Sequence, residues 1–406
     1  MAFDFSVWRT AIAGLIFQAL GLGLIGVYGF YIEPVGRHFN QGHATLNLGL
    51  ALLMILGALI SPLLGRVIDR TSLKPVLSLG AIVAALGLCL VSVAATFQIA
   101  VVGYLLFAIG IVLYGPLVCN LLIVRAYQIN RARALAIAAI GVSVASVLLP
   151  LFVAWLMTEL EWQRSLQVLA LVVVVGVFGS ALLLVVEPAR PSSVPKEQAG
   201  DRPAEKDRGG TNAAIGNAGS PYWAQLNFWL LGFVVSICMS VMALLALIMV
   251  PHFLSTGLSV EHAAWLVSST GVSGMLGKTS LAVLSERISP WLKQLAIFLA
   301  CLQLCAWLIL FNFTGPTQML VAMLALGFTN GLFIPLLPYI CSVYFEESSL
   351  GKINGAHMAM MLPFALLGPW LAGRHFDQSG SYTAVFATLC VVLGLVVAAL
   401  LAVRKP

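Results

Sequence analysis

Gly65-Arg66-Val67-Ile68-Asp69-Arg70-Thr71-Ser72-Leu73-Lys74 is a short polar turn between two apolar runs. Half a chain later, after a comparable run, Ala282-Val283-Leu284-Ser285-Glu286-Arg287 brings an acidic–basic pair again. Asp69 and Glu286 lie 217 positions apart in a chain of 406 residues, and each is followed by arginine. An echo at that spacing predicts two related halves with one fixed reference point in each.

The surroundings of these turns set the class. Apolar types make up 61% of residues, charged types only 9%, and the mean hydropathy is +1.02. A soluble chain carries roughly a quarter charged residues. The apolar residues fall into runs of about twenty, each long enough to cross some 30 Å of hydrocarbon as a helix. Inside lipid every backbone N–H and C=O needs a partner within the segment, which admits helices or a closed barrel. Barrel strands alternate polar and apolar residues, and these runs do not. The expectation is an all-α integral membrane protein with twelve transmembrane helices, over roughly 10–32, 45–65, 75–96, 99–124, 134–157, 165–187, 225–250, 263–284, 291–313, 317–341, 354–373 and 382–403. The first lacks a small-residue cleavage site and reads as a retained helix.

Charge supplies the orientation. With the amino terminus cytoplasmic, only Arg37, Arg164 and Arg374 of the 21 lysines and arginines fall outside. Positive charge is retained on the cytoplasmic side during insertion, so both termini are expected there, in a cell (inner or plasma) membrane. The net charge of +6 is then a topological signal and implies no nucleic-acid partner. All seven cysteines sit within apolar runs without histidine or carboxylate beside them, so packing is expected of them and neither disulfide, metal nor cofactor.

From Pro188 to Pro221 the chain is rich in Pro, Gly and alternating charge, which predicts a solvated, flexible cytoplasmic linker. The expected division is an N-terminal six-helix bundle at 1–187, the linker at 188–221 and a C-terminal bundle at 222–406. His38-Phe39 before the second span has a counterpart in His252-Phe253 before the eighth. Arg125, Arg131 and Arg133 lead into the fifth span much as Glu346, Glu347 and Lys352 lead into the eleventh. Two bundles related by an axis normal to the membrane are a known carrier plan.

At this point the chain resembles the major facilitator superfamily. That family's G-x-x-x-D-R-x-x-x-K loop is matched by Gly65, Asp69, Arg70 and Lys74, and the second copy keeps Glu286 and Arg287 but has Ala282 for the glycine. Finer features resemble its monocarboxylate-transporter and oxalate–formate-antiporter branches: the basic lead Arg131 to Ala136, Glu161-Trp162-Gln163-Arg164 at the sixth span, and Gly373, Asp377, Gly380 and Tyr382 in the pattern G-x-x-x-D-x-x-G-x-Y. The resemblance implies rocker-switch transport, with spans one, four, seven and ten lining a central cavity. It also implies a cytoplasmic gate at Gly65, Asp69, Arg70, Lys74, Glu286 and Arg287, to which Arg125 is added.

Ionisable groups inside a bilayer are costly, so those present are functional candidates. Lys278 lies roughly 22 Å along the eighth span at 1.5 Å per residue, and Gly271, Gly274 and Lys278 share one helical face. A cation there without a carboxylate favours an anionic ligand. The resembling branches place a basic residue, usually arginine, in this span. The alternative is that Lys278 snorkels along its alkyl stem to the interface.

Gln18, Tyr114 and Asn330 stand near the middles of cavity-lining spans as hydrogen-bond donors to a substrate, or alternatively as interhelical contacts. His357 is a candidate for proton coupling, since imidazole titrates near neutrality. No Asp or Glu falls in a span interior; Glu33 and Glu187 mark span ends. Pro116, Pro150, Pro335, Pro338 and Pro363 are expected to interrupt their helices.

The sequence reads as a secondary carrier of a small organic anion, a monocarboxylate foremost. A coupling proton or exchanged anion, a lipid bilayer and a functional monomer go with that reading. The rival is an exporter or carrier of neutral or amphipathic small molecules. There is no P-loop, nucleophile elbow or metal-ligand cluster, and no enzyme is expected.

Overall fold

The computed structural model describes residues 5–49, 56, 57, 60, 64, 71–127, 130–185, 222–288, 291–346 and 349–403. These form helices with no strand among them. The first half contains α1 (Phe5–Gly26), α2 (Gly29–Phe39), a helical segment at 43–49, α3 (Leu73–Ser92), α4 (Phe97–Tyr114), α5 (Pro116–Ala126), α6 (Arg131–Glu159), α7 (Trp162–Val173) and α8 (Gly179–Leu183). The second contains α9 (Leu226–Ser255), α10 (Val260–Ile288), α11 (Leu292–Asn312), α12 (Pro316–Tyr344), α13 (Leu350–Ser379) and α14 (Thr383–Ala402). Ten stretches among the described residues are long and apolar enough to cross a membrane. The expected eighth span corresponds to α10, and most of the expected second span lies outside the described residues, as does the 188–221 linker.

Helix breaks follow backbone chemistry. The expected fourth span is two helices, because Pro116 starts α5 and Gly115 before it is extended at φ −70°, ψ −164°. Proline lacks an N–H and its ring pushes the preceding residue out of helical geometry. Pro150, Pro335, Pro338 and Pro363, expected to interrupt, instead lie inside continuous helices. Neighbouring helices can satisfy the carbonyls that a proline frees. Val174–Phe178 continues α7 as one wide π turn before α8. The expected eleventh span is longer than its apolar core: α13 runs on through Asp377 and ends at Gly380, whose left-handed φ of +68° stops it.

Packing repeats between the halves. α3 packs on α4 and α7 as α11 packs on α12 and α14, and α1 lies along α6 as α9 lies along α13. His38 meets Trp162 at the start of α7, while His252 meets Phe386 near the start of α14. These pairs repeat one kind of contact in the two halves. Large apolar side chains such as Leu86, Leu148, Trp265 and Val391 face outward, as lipid contact requires.

The halves meet along matching seams. Ser268 on α10 donates to the carbonyl of Val147 on α6 at 2.8 Å. Asn47 in the 43–49 segment donates to the carbonyl of Pro369 on α13 at 3.0 Å. Within the second half α10 and α12 touch backbone to backbone: a Cβ added at Gly331 would fall 2.1 Å from the carbonyl oxygen of Gly274. Gly331→Val is therefore expected to cost about 1–3 kcal/mol by overpacking, read as a lower thermal midpoint in detergent. Gly394→Ala, inside α14 where no atom lies within 4 Å, should leave the midpoint unlowered or raise it slightly.

Candidate functional site

A cavity of about 220 Å³ lies between the halves, lined by residues of α1, α6, α9, α10 and α12. Its walls are apolar or small, with Met242, Met249 and Met323 among them. Lys278 is the one ionisable side chain among the described residues that line it. Its Nζ donates to Ser143 Oγ on α6 at 3.1 Å, so the ammonium bridges the two halves. An ammonium has three protons to donate, and this bond uses one.

Three of the five residues expected to bind substrate come together here. Gly274 and Asn330 line the same cavity as Lys278. Asn330 is held by Gln303 on α11, whose Nε2 donates to Asn330 Oδ1 at 3.1 Å. Gly271 and Gly274 have different tasks on their shared face. A Cβ at Gly271 would meet the backbone of Ser146 at 2.8 Å, and one at Gly274 would lie 3.1 Å from the carbonyl oxygen of Gly327. Glycine here lets α10 approach α6 on one side and α12 on the other, which delivers Lys278 to the cavity wall.

Gln18 and Tyr114 are placed elsewhere. Tyr114 is wholly buried and its hydroxyl donates to the carbonyl of Leu20 at 3.2 Å. Gln18 Nε2 donates to Asn120 Oδ1 at 3.1 Å. Both bonds tie α1 to the broken fourth span, and neither residue lines the central cavity. His357 is also buried away from it: Nε2 stands 3.1 Å from the carbonyl oxygen of Phe228, which fastens α13 to α9.

Of the expected gate, Lys74 is the second residue of α3 and Arg125 lies in the last turn of α5. Gly65, Asp69 and Arg70 lie outside the described residues. Glu286 and Arg287 are on the last turn of α10, their side chains outside the described set.

Sequence reasoning passed over Ser143 and Gln303. Ser143 is one of many serines in apolar helices, and only the crossing of α6 over α10 singles it out. Gln303 carried a usable signal, being a glutamine in the middle of an otherwise apolar run.

The family model of the Major Facilitator Superfamily matches residues 12–365. The chain belongs to the major facilitator superfamily. This superfamily member is a membrane transporter and not an enzyme. It is similar to Monocarboxylate transporter 12 of Homo sapiens, 23% identical over 389 residues, covering 88% of this chain and 72% of that one. It is also similar to Monocarboxylate transporter 13 of Rattus norvegicus, 24% identical over 398 residues, covering 93% and 84%. Among solved structures, that of the nucleoside transporter NupG matches with a TM-score of 0.74 at 15% identity, covering 98% of this chain and 100% of the other. That last likeness is one of fold.

Tyr114→Phe in the transporter removes the bond to Leu20 and leaves a buried carbonyl without that donor. A loss of about 1 kcal/mol is expected, read as a lower thermal midpoint. An unchanged midpoint would show that the bond contributes nothing to the α1–α4 contact.

Proposed function

We propose that this transporter moves a small organic anion, a monocarboxylate foremost, and that Lys278 binds its carboxylate. The observation that carries this reading is one ammonium in a cavity with no carboxylate among its described lining residues. A charge-assisted hydrogen bond in such a site is worth about 1.5–3 kcal/mol. Two similar relatives bear the name monocarboxylate transporter, which supports the same class. Asn330 adds an amide to the same cavity, and the methionines and glycines accept a short apolar tail. Lysine is a point charge rather than a planar fork, which suits one carboxylate better than two.

Transport proceeds by rocking of the two bundles about this cavity. The Lys278–Ser143 bond spans the seam that must open, so an anion that captures the ammonium competes with a contact between the halves. Gly65, Asp69, Arg70, Lys74, Arg125, Glu286 and Arg287 form the gate on the cytoplasmic side, and both termini face that side in the cell membrane. The working unit is the monomer, with a proton or a second anion as the coupled species.

A second reading, transport of neutral or amphipathic compounds, draws on the apolar lining of the cavity. Uptake of radiolabelled lactate into proteoliposomes separates the two. Lys278→Ala is expected to lose uptake about tenfold or more, as loss of one charged hydrogen bond implies, while Lys278→Arg keeps part of it. Undiminished uptake by Lys278→Ala would remove the lysine from the site.

A further inference from the structure

Gln303 stands at the middle of α11 and is wholly buried. No residue of α11 is among the described residues that line the central cavity, yet this side chain reaches the cavity at one remove. Its Nε2 donates to Asn330 Oδ1 at 3.1 Å. Asn330, at the middle of α12, lines the cavity and keeps 8% of its surface exposed. The other atom of the glutamine amide, Oε1, has no hydrogen-bond partner among the described residues. An unpaired buried oxygen costs stability, so a glutamine is a poor choice here if its only task is to join α11 to α12. In the comparable pair of Gln18 and Asn120 neither residue lines the cavity.

We propose that Gln303 is a positioning residue for the substrate: it fixes the Asn330 amide so that Nδ2 faces the cavity as a hydrogen-bond donor to the anion, additional to Lys278. This rests on the carriage of an organic anion and names a further residue of the same site. A side-chain amide is planar, with an acceptor on one arm and two donors on the other. With Oδ1 held toward α11, the NH2 arm is the one left for the cavity, and no described residue accepts from it. An anion offers only acceptors, so the NH2 arm attracts it and an oxygen in that place repels it. Lys278, Asn330 and Gln303 come from α10, α12 and α11, three consecutive helices of the second half.

The reverse pairing, with Asn330 Nδ2 donating to Gln303 Oε1, presents the asparagine oxygen to the cavity. It also places the glutamine NH2, with two protons, where Oε1 now lies unpaired. Buried N–H groups without partners are rarer than unpartnered carbonyl oxygens. The orphaned oxygen is thus the smaller of two costs, and the one that leaves Asn330 a donor. Without the glutamine, nothing on α11 holds the asparagine oxygen away from the cavity.

Lactate is the probe, as equilibrium binding of the radiolabelled anion to purified, folded transporter and as uptake into proteoliposomes. Gln303→Met keeps the length of the side chain and removes the donor. Its Kd and KM for lactate are expected to rise about tenfold with the maximal rate little changed, the loss of about one hydrogen bond to a charged group. Asn330→Ala should weaken binding to a similar degree. Gln303→Met added to Asn330→Ala should then weaken it no further, because the glutamine acts only through the asparagine. A bond that merely joins two helices would lower the thermal midpoint of Gln303→Met and leave its lactate Kd at the wild-type value, which would overturn the proposal. Additive losses in the double variant would overturn it too. Should Gln303→Met not fold, Asn330→Ala decides: unchanged lactate affinity removes the donor arm, and Gln303 with it. Lactate binding that depends on Lys278 but not on Gln303 would sink this inference and leave the anion reading standing. A wild type that binds no carboxylate would end both.

Discussion

Backbone contact at glycine holds the centre of this transporter together. In hydrocarbon no hydrophobic force draws one helix to another, so association depends on close packing and on polar contacts between helices. Gly331 against Gly274, and Gly271 against Ser146, bring three helices from two halves within reach of one cavity. A larger residue at either contact would push α10 outward and carry Lys278 with it. The chemistry of the site is set by one cation, but its position is set by side chains that are missing.

The same economy of polar groups explains why each has a defined place. An ammonium within a bilayer costs on the order of 3 kcal/mol on insertion scales unless something receives it. Ser143 receives Lys278, the Leu20 carbonyl receives Tyr114, and the Phe228 carbonyl accompanies His357. The first of these lies across the seam between the halves and the other two lie within a half. That division separates a contact between the halves from contacts within one bundle.

How far the sequence could be read follows from the range of each signal. Helical spans, the two halves and the face shared by Gly271, Gly274 and Lys278 are local or periodic properties, and all are visible in the chain. Tyr114 and Gln18 look like ligand contacts because their residue types and depth suit the role. Their partners, Leu20 and Asn120, are about a hundred residues away in sequence, and no spacing rule brings them together. His43 has no signal of its own: Glu33, Asp377 and Tyr382 converge on it only after α13 has grown past its apolar core. The pattern of Gly373, Asp377, Gly380 and Tyr382 was visible as a motif, but not as a cap for a helix in the other half. Proline was over-read, since only Pro116, following a glycine, ends a helix.

The 43–49 segment starts on a carboxylate of the other half: the His43 N–H donates to Asp377 Oδ1 at 2.7 Å and the Ala44 N–H to Asp377 Oδ2 at 3.0 Å. A cap of this kind is ordinarily worth about 1 kcal/mol and belongs to the helix it ends. Here its owner is the other half, so a separation of the halves would leave the helix start without its cap. The halves are thus joined in part through the start of a helix.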